Sequence, residues 1–332
     1  MTTTTPHRPS RTGSPLLRYV LRRTGQAVLV VLLVTIVVFL LLQALPGGPA
    51  RGVLGQTATP EQIAAFNAAN GFDKSVVEQY LAFLGRLLQG DLGSSYVMNM
   101  PVADAIAQRL PKTLLLTGLS LVVALAVALP LGVRQAARRG SGFDYSTTTV
   151  AVVLYSTPSF FLGLILVVVF SQWLGIFPAL APQGRTVGDI LAQPLALVLP
   201  VLTGALVTVA TFSRYSRSST IDSLAEDYVR TARAKGTAEG AVLRKHVLRN
   251  SLTPVVAMLG YQVPVLFGGA LVVEQLFNYP GMGLLFWSSA QASDFPVLLG
   301  CVLVIAIATV VGSLLADLLQ TLLDPRTRGG LR

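Results

Sequence analysis

Charged residues are scarce in this chain. Asp, Glu, Lys and Arg make up 12% of its 332 residues and hydrophobic residues 52%, whereas soluble domains carry about a quarter charged residues. This composition indicates a membrane protein. The net charge of +10 would also suit a nucleic-acid partner, so the positions of the cations must first be compared with the apolar runs.

Cysteine and histidine are rarer still. The single cysteine, Cys301, lies in an apolar run, which excludes an internal disulfide or a multi-cysteine metal site and fits a small buried side chain. His7 lies in a polar tail and His246 in a basic segment, so a histidine metal site inside the membrane is excluded as well. We therefore expect no metal on this chain.

The motifs of nucleotide hydrolysis and of common hydrolases are absent. No lysine follows a glycine, which excludes a GxxxxGK[ST] phosphate loop, and neither GxSxG nor HExxH occurs. The apolar runs hold almost no charge apart from Asp317, whereas proton- and sodium-coupled carriers usually place ionisable residues there. We expect no catalytic residues and a transport path that another protein powers. A secondary transporter or channel is the alternative, and a membrane enzyme is a third class.

Six apolar runs are long enough to cross a bilayer, for which about 20 residues suffice. The first is too long for the apolar part of a signal peptide and is predicted to be retained. If both termini lie inside, 19 of the 25 Lys and Arg fall on the cytoplasmic side, so topology rather than nucleic acid explains the charge. The predicted spans are 24–45, 113–133, 147–173, 195–213, 252–273 and 296–320.

The predicted fold is therefore an all-α polytopic membrane protein with both termini in the cytoplasm. It divides into a cytoplasmic tail at 1–23, a transmembrane domain at 24–320 and a second tail at 321–332. The domain includes an external segment at 46–111 and a cytoplasmic loop at 214–250. Small residues at four-residue spacing predict close helix packing, and they are Ala124, Ala128, Gly132, Ala308, Gly312 and Ala316. Pro130 and Pro264 lie within spans and predict kinks that serve packing or gating.

The outer loops contain an amphipathic run and two acids. Residues 75–89 read as a helix with one apolar face, which either packs on the spans and the bilayer or docks a partner. Its apolar residues are Val76, Val77, Tyr80, Leu81, Leu84, Leu87 and Leu88. Glu274 and Asp294, in the last outer loop, are expected to be solvated, with an aqueous vestibule as the alternative.

The cytoplasmic loop predicts a short helix–turn–helix. Ser223 and Glu226 fit a capping box, so a helix is expected from Leu224, with a favourable Glu226–Arg230 pair. Ala232 and Gly236 share a face that permits close approach, and Gly236 then ends the helix. A second helix follows, whose inward-facing residues are expected to be Val242, Leu243 and Val247.

Five polar residues fall inside or beside the predicted spans. A path for a peptide-like cargo needs uncharged polar groups, but helix–helix hydrogen bonds need the same groups, so both interpretations stay open. The residues are Ser156, Ser159, Thr208, Tyr261 and Gln262.

At this point the sequence resembles the permeases of ABC importers, in their dipeptide and oligopeptide version. EDYVRTARAKG followed by RKHVLRNSLTP is similar to their cytoplasmic coupling loop, called the EAA loop. LLQALPGGPA, LLQGDLGSSY, STPSFFLGLIL, EQLFNYPGMGLL and LADLLQTLLDPR resemble other family segments in the same order. In the wider EAAxxxG pattern, only Ala232 and Gly236 match, and Arg230 stands where the glutamate is expected.

The resemblance implies the type I importer fold and a B-type permease subunit. Such a subunit lines a path with a homologous C-type permease, above two ATPase subunits that bind ATP and Mg, and an extracytoplasmic binding protein delivers the peptide. Nickel chelates are an alternative cargo. The expected location is the prokaryotic plasma membrane. The expected coupling residues are Glu226, Asp227, Tyr228, Arg230, Thr231, Ala232, Arg233, Lys235 and Gly236, with Ala232 and Gly236 inserted into an ATPase groove.

Overall fold

The computed structural model describes residues 15–43, 48–55, 57–268 and 270–323. Within these ranges the chain is predominantly helical, and its β-structure is limited to one bridge between Ser94 and Pro101. The predicted all-α class is confirmed. Positions 1–14 and 324–332, which hold most of both predicted tails, lie outside the described residues.

The N-terminal region starts with a long apolar helix and continues with three shorter ones. Two of these begin with capping boxes, in which Thr59 pairs with Gln62 and Ser75 with Glu78. The hydrogen bonds from Ser75 lower the pKa of the Glu78 carboxyl. The predicted helix at 75–89 is confirmed. The four helices are α1 (Pro15–Gln43), α2 (Gly48–Leu54), α3 (Pro60–Asn70) and α4 (Val76–Leu88).

The central region contains two long helices that pack side by side. They are parallel, because Ser120 of one lies by Gly204 of the other while Gly132 lies by Ser213. The helices of this region are α5 (Val102–Ala137), α6 (Gly142–Ser156), α7 (Ser159–Leu166), which continues as π-helix over Val167–Trp173, α8 (Val187–Leu191) and α9 (Pro194–Ala225).

The C-terminal region alternates short helices with one long one. It consists of α10 (Asp227–Ala234), α11 (Glu239–Ala241), a π-helical segment at Val242–Val247, α12 (Leu248–Ser251), α13 (Thr253–Gly260), α14 (Val263–Gly268), α15 (Leu271–Leu276), α16 (Met282–Gln291) and α17 (Phe295–Leu323). Gln135, at the close of α5, lies at the same end of the bundle as α10, whereas α4 packs at the opposite end. We call these the α10 end and the α4 end.

Four of the described helices are long and apolar enough to cross a membrane, and two bent pairs bring the number to six if each pair is one span. The four lie at Arg22–Leu41, Val102–Ala137, Pro194–Ala225 and Phe295–Leu315. The pair Glu239–Gly260 and Val263–Leu276 bends by 42°, close to the kink predicted at Pro264. Pro130, by contrast, lies inside the continuous helix α5.

The predicted third span, 147–173, is wrong as a single straight helix. Its two halves, α6 and α7 with its π-helical continuation, meet at 108°. Thr157 takes an extended conformation with ψ of 128°, and Pro158 precedes the first residue of α7. Because proline disfavours the helical conformation of the residue before it, the break falls at this dipeptide.

Small residues bring α5 and α9 into close contact, as predicted. Ala124 and Ala128 have no exposed surface, and Gly132 is buried. A methyl group added at Gly132 would lie 2.6 Å from the carbonyl oxygen of Ser213, so no larger residue fits there. Gly312 makes a similar approach to Val263 from α17, and the side chain of Ala316 lies outside the described residues.

Glu274 is buried, which overturns the expectation of a solvated or vestibule acid. Its carboxylate accepts hydrogen bonds from the Thr113 hydroxyl at 2.8 Å and from the backbone N–H groups of Gly283 and Leu284 at 2.7 and 3.1 Å. These two N–H groups are in the first turn of α16, whose N-cap residue, Gly281, has no side chain to cap it. Glu274 therefore caps α16 from a distance and ties it to α5.

Asp294 is buried in the same way and is likewise not a solvated loop charge. Its carboxylate accepts a hydrogen bond from the Ser95 hydroxyl and one from the Tyr96 N–H at 3.2 Å. Burial raises the pKa of Tyr96 to about 12. Asp294 thus joins the loop before α17 to the segment at Ser95 and Tyr96.

Candidate functional site

The segment that follows α9 forms a compact hairpin at the α10 end. Helix α9 stays helical through Ala225, and Glu226 then becomes the extended N-cap residue of α10, with no side-chain capping bond. The predicted capping box from Ser223 and the helix start at Leu224 are therefore wrong. Ser223 lies buried in the last turn of α9 and is helical, whereas an N-cap residue has an extended conformation.

The interior of the hairpin is an apolar cluster between α10 and the π-helical segment. Val229, Val242 and Val247 are fully buried in it, and Leu243 packs against them, as predicted for the second arm. Ala232 is 7% exposed and belongs to the same cluster. The expectation that Ala232 inserts into a partner is therefore wrong: its small side chain lets the two arms of the hairpin approach each other.

Gly236 ends the first arm, as predicted. Its φ of +77° lies in the left-handed region, and its N–H donates to the Arg233 carbonyl oxygen at 2.9 Å. The next N–H, of Thr237, donates to the Ala232 carbonyl oxygen at 3.1 Å. Gly236 is exposed, and a methyl group added to its Cα would meet no atom within 4 Å. Its surface is free to meet another protein.

The charged side chains of α10 point away from the cluster. Arg230 pairs with Asp227 at 3.3 Å rather than with Glu226, so the predicted ion pair is wrong by one residue. Arg233 makes two hydrogen bonds to Glu239, at 2.7 and 3.2 Å, which raise the pKa of its guanidinium. Thr231 is exposed, and Tyr228 is half-buried with its hydroxyl unpaired within the described part of the chain. Lys235 is exposed and has no ion-pair partner among the described residues.

Three further cations that the predicted site omits are exposed on the second arm: Arg244, Lys245 and Arg249. Across 226–250 the chain has six Lys and Arg against three Asp and Glu. The basic run RKHVLR is the sequence signal for these three cations. The sequence-based prediction for the second arm names only its inward-facing residues and therefore omits them. The hairpin therefore offers a basic, water-exposed surface.

A charged clamp fixes α9, from which the hairpin extends, to the rest of the bundle. Arg217 of α9 binds both carboxylate oxygens of Asp144, at 2.7 and 2.8 Å, and Asp144 also accepts the Gly140 N–H at 3.0 Å. Ser219 donates to the Ser251 carbonyl oxygen at 2.8 Å. Sequence reasoning missed this clamp, because its members lie 73 residues apart. Since α10 follows α9 after a single extended residue, these contacts hold the base of the hairpin against α6 and α12.

Two of the five polar residues proposed for a path meet at one cavity. Thr208 and Gln262 line a space of about 50 Å³ between α5, α9 and α14. The Thr208 hydroxyl donates to the Gly204 carbonyl oxygen at 3.1 Å, whereas the Gln262 amide has no hydrogen bond to the described residues. Thr117 and Ser120, which sequence reasoning did not select, also line the cavity.

The other three residues lie apart from this cavity. Ser156 is exposed at the end of α6, and Ser159 is half-buried at the start of α7, on either side of the 108° bend. Tyr261 is 74% exposed. Thus the structure does not gather the five into one site within this chain.

Comparison with known families identifies the chain. Residues 128–329 match the family model described as "binding-protein-dependent transport system inner membrane component", and residues 16–117 match the model of its N-terminal part. The chain belongs to this family. It is therefore a multi-pass membrane component of a binding-protein-dependent transport system, and the hairpin lies within the larger matched region.

Relatives within this family are similar over nearly their whole length. The oligopeptide transport system permease protein AppB of Bacillus subtilis is 39% identical over 310 residues, which are 93% of this chain and 98% of that protein. The glutathione transport system permease protein GsiC of Escherichia coli is 38% identical over 313 residues, 94% of this chain and 99% of that one.

A solved structure supports the family fold. The MetNI methionine ABC transporter, in an inward-facing conformation, contains a chain that superposes with a TM-score of 0.51 at 14% identity, over 66% of this chain and 96% of that one. The predicted ABC importer transmembrane fold is confirmed by this similarity and by the family match. The likeness concerns the fold alone.

Proposed function

We propose that this chain is the B-type permease subunit of an ATP-driven importer of di- or oligopeptides. It lines the membrane path together with a homologous C-type permease, above two ATPase subunits that bind ATP and Mg, and an extracytoplasmic protein delivers the peptide. The names of AppB and GsiC support a peptide cargo. The exposed basic hairpin at the end of α9 is the observation that carries the proposal.

The proposed orientation has six spans and both termini in the cytoplasm of a prokaryotic cell. It is supported by the distribution of Lys and Arg, of which 19 of 25 then lie on the cytoplasmic side. The α10 end, with the basic hairpin, is then inside the cell and the α4 end outside. The proposed boundaries are tails at 1–23 and 321–332 around a permease domain at 24–320.

The hairpin is suited to transmit movement because it is stiff and directly attached to a span. Its own apolar cluster holds the two arms together, and one extended residue, Glu226, joins it to α9. We propose that ATP binding brings the ATPases together and moves α10, and that α9 carries this movement to α5 through the contact at Gly132. The exposed cations Arg230, Arg233 and Lys235 then face acidic groups of the ATPase.

The substrate path is proposed to lie between this chain and the C-type permease. A cavity of about 50 Å³ is too small for a peptide, since ligand pockets usually span about 300–1,000 Å³. Gln262 and Thr208 therefore reach cargo only when α14 and the α5–α9 pair separate. Ser156, Ser159 and Tyr261 reach it only where their exposed surfaces face the partner.

Substitution of Gly236 tests the coupling role. Gly236→Trp adds bulk to the proposed ATPase contact, while Gly236→Ala adds only the strain of a left-handed non-glycine residue, about 1–2 kcal/mol. In proteoliposomes that hold the complete transporter, we expect the tryptophan variant to hydrolyse ATP without importing peptide and the alanine variant to import it. Wild-type import by the tryptophan variant would refute the role.

Gln262→Leu tests the path, because it removes the unpaired amide and nearly keeps its volume. We expect a lower peptide uptake per ATP hydrolysed and an altered preference among peptides. Thr211→Val is the matched control, because the Thr211 hydroxyl donates to the Val207 carbonyl oxygen within α9 and Thr211 does not line the cavity. Unchanged rate and selectivity in Gln262→Leu would assign Gln262 to helix packing instead.

A further inference from the structure

Helix α4 has one face that packs onto the bundle. Phe83 is buried, and its ring lies 6.3 Å from that of Phe39 of α1, while the Tyr80 ring lies 5.4 Å from Phe39 in an edge-on arrangement. Leu299 of α17 completes this contact. The aromatic packing fixes the position of α4 relative to the end of α1.

The contacts of Tyr80 place α4 beside the apolar part of α1 rather than beyond it. The Tyr80 hydroxyl is 3.0 Å from the Thr35 hydroxyl. The apolar stretch of α1 continues at least to Leu41. Leu41 is six residues after Thr35, which is about 9 Å along a helix that rises 1.5 Å per residue. The Tyr80 side chain of α4 therefore reaches the level of the apolar residues of α1.

A second face of α4 is apolar and uncovered. Val77, Leu81 and Leu88 are 67%, 60% and 89% exposed, and with half-buried Leu84 they follow the spacing of one helical stripe. On α1, at the same level, Leu41 is 63% exposed as well. Exposure of this continuous set of large apolar side chains to water would be energetically unfavourable.

The remaining side of α4 is polar. Glu78, Arg86 and Gln89 are exposed there, and a capping box anchors the start of the helix. An apolar stripe beside a charged side, without enough apolar residues to span the bilayer, is the pattern of a helix that lies in the membrane interface.

We infer that α4 is an interfacial helix whose Val77–Leu81–Leu88 stripe contacts the acyl chains of the leaflet at the α4 end. Its Arg86 side faces the aqueous phase. With the orientation proposed above, this is the outer leaflet, and only that assignment rests on the proposed function. The helix would hold the loops of the α4 end, including the Ser95–Asp294 contact, at a fixed height above the membrane.

Spin labels in the complete transporter, reconstituted in phosphatidylcholine and phosphatidylglycerol nanodiscs, test this inference. Leu81→Cys carries the label on the stripe, Arg86→Cys is the matched control one turn along the opposite side, and Leu33→Cys marks the lipid-facing side of α1. The native Cys301 is fully buried, and unsubstituted protein measures its background labelling. Accessibility to oxygen and to a water-soluble nickel chelate gives the depth of each label.

We expect the Leu81 label to lie about 5–10 Å below the phosphate level, accessible to oxygen, and the Arg86 label to be accessible to nickel. Nickel accessibility at Leu81 equal to that at Arg86 would overturn the inference. An immobilised Leu81 label that neither reagent reaches would also overturn it, because the stripe would then be covered by the partner permease.

Labelling in sealed proteoliposomes separates this inference from the proposed orientation. An impermeant maleimide should reach Arg86→Cys and Arg139→Cys from opposite sides of the membrane, because Arg139 is exposed in the turn after α5 and lies outside the hairpin. If it reaches Arg86→Cys only from the side of the ATPases, the orientation fails, although the depth of Leu81 still stands. If the sides are as proposed but Leu81 is in water, the interfacial helix alone fails.

Discussion

Replacement of Glu274 by alanine should strongly destabilise the α4 end. The buried carboxylate accepts hydrogen bonds from Thr113, Gly283 and Leu284, and the substitution leaves all three donors unpaired. At about 1–3 kcal/mol for each unpaired buried group, the loss is at least about 3 kcal/mol. The Thr113 hydroxyl oxygen cannot replace the carboxylate as the acceptor for Gly283 and Leu284, because it already accepts the Met282 N–H at 2.7 Å.

The assay is thermal unfolding of the complete transporter in detergent. At about 2–4 °C per kcal/mol, Glu274→Ala should lower the apparent Tm of this subunit by at least about 6 °C. Glu61→Ala is the matched control, since Glu61 is an exposed helical glutamate of α3. A Tm for Glu274→Ala that equals that of the control would refute the assignment of Glu274 as the distant cap of α16.

Two other predictions concern the contacts between helices. Gly132→Ala should lower the free energy of unfolding by about 1–3 kcal/mol, because the added methyl group would meet the Ser213 carbonyl oxygen. Gly118→Ala, in the same helix, is the control: its methyl group meets no atom within 4 Å, so the Tm should stay unchanged or rise. Equal effects of the two substitutions on the Tm would contradict the close crossing of α5 and α9. Asp144→Ala and Arg217→Ala should each lower the Tm, and the double variant should lose less than the sum, with a coupling of about 0.5–3 kcal/mol. Additive losses would show that the clamp does not act as a pair.

Hydrophobicity predicted the long apolar helices, because a run of about 20 apolar residues is typical of a membrane span; four described helices are long and apolar enough to cross a membrane. The effect of proline was harder to predict. Pro130 and Pro200 lie inside continuous helices, while the chain turns by 108° at Thr157–Pro158. Whether a proline bends or breaks a helix depends on what neighbouring helices supply to the freed backbone groups, and that information is not local.

The buried acids show the same limit. In the sequence, Glu274 and Asp294 fall in a predicted outer loop, where solvation is the ordinary outcome, although Glu274 lies in the short helix α15. Their partners, Thr113 and Ser95, are 161 and 199 residues away in the sequence. No local pattern indicates such contacts, although the glycines at 281 and 283 leave space that larger residues would fill.

In the hairpin, local rules predicted the turn at Gly236 and the inward direction of Val242 and Val247. They failed at Ser223 and at Ala232. Ser223 has the right spacing for a cap, but the preceding span stays helical past it. An alanine such as Ala232 is equally compatible with an exposed helix face and with a buried one. Only its packing against the second arm shows that it is buried.

The contact between the hairpin and an ATPase subunit is the central claim, and site-specific photo-crosslinking tests it most directly. Lys235 is the site for the crosslinker, because it is exposed and has no ion-pair partner in the described part of the chain. Arg86, at the opposite end, is the control. Irradiation of the complete transporter should join the Lys235 variant to the ATPase subunit and the Arg86 variant to no ATPase. A crosslink to the ATPase from Arg86, or none from Lys235, would contradict the claim.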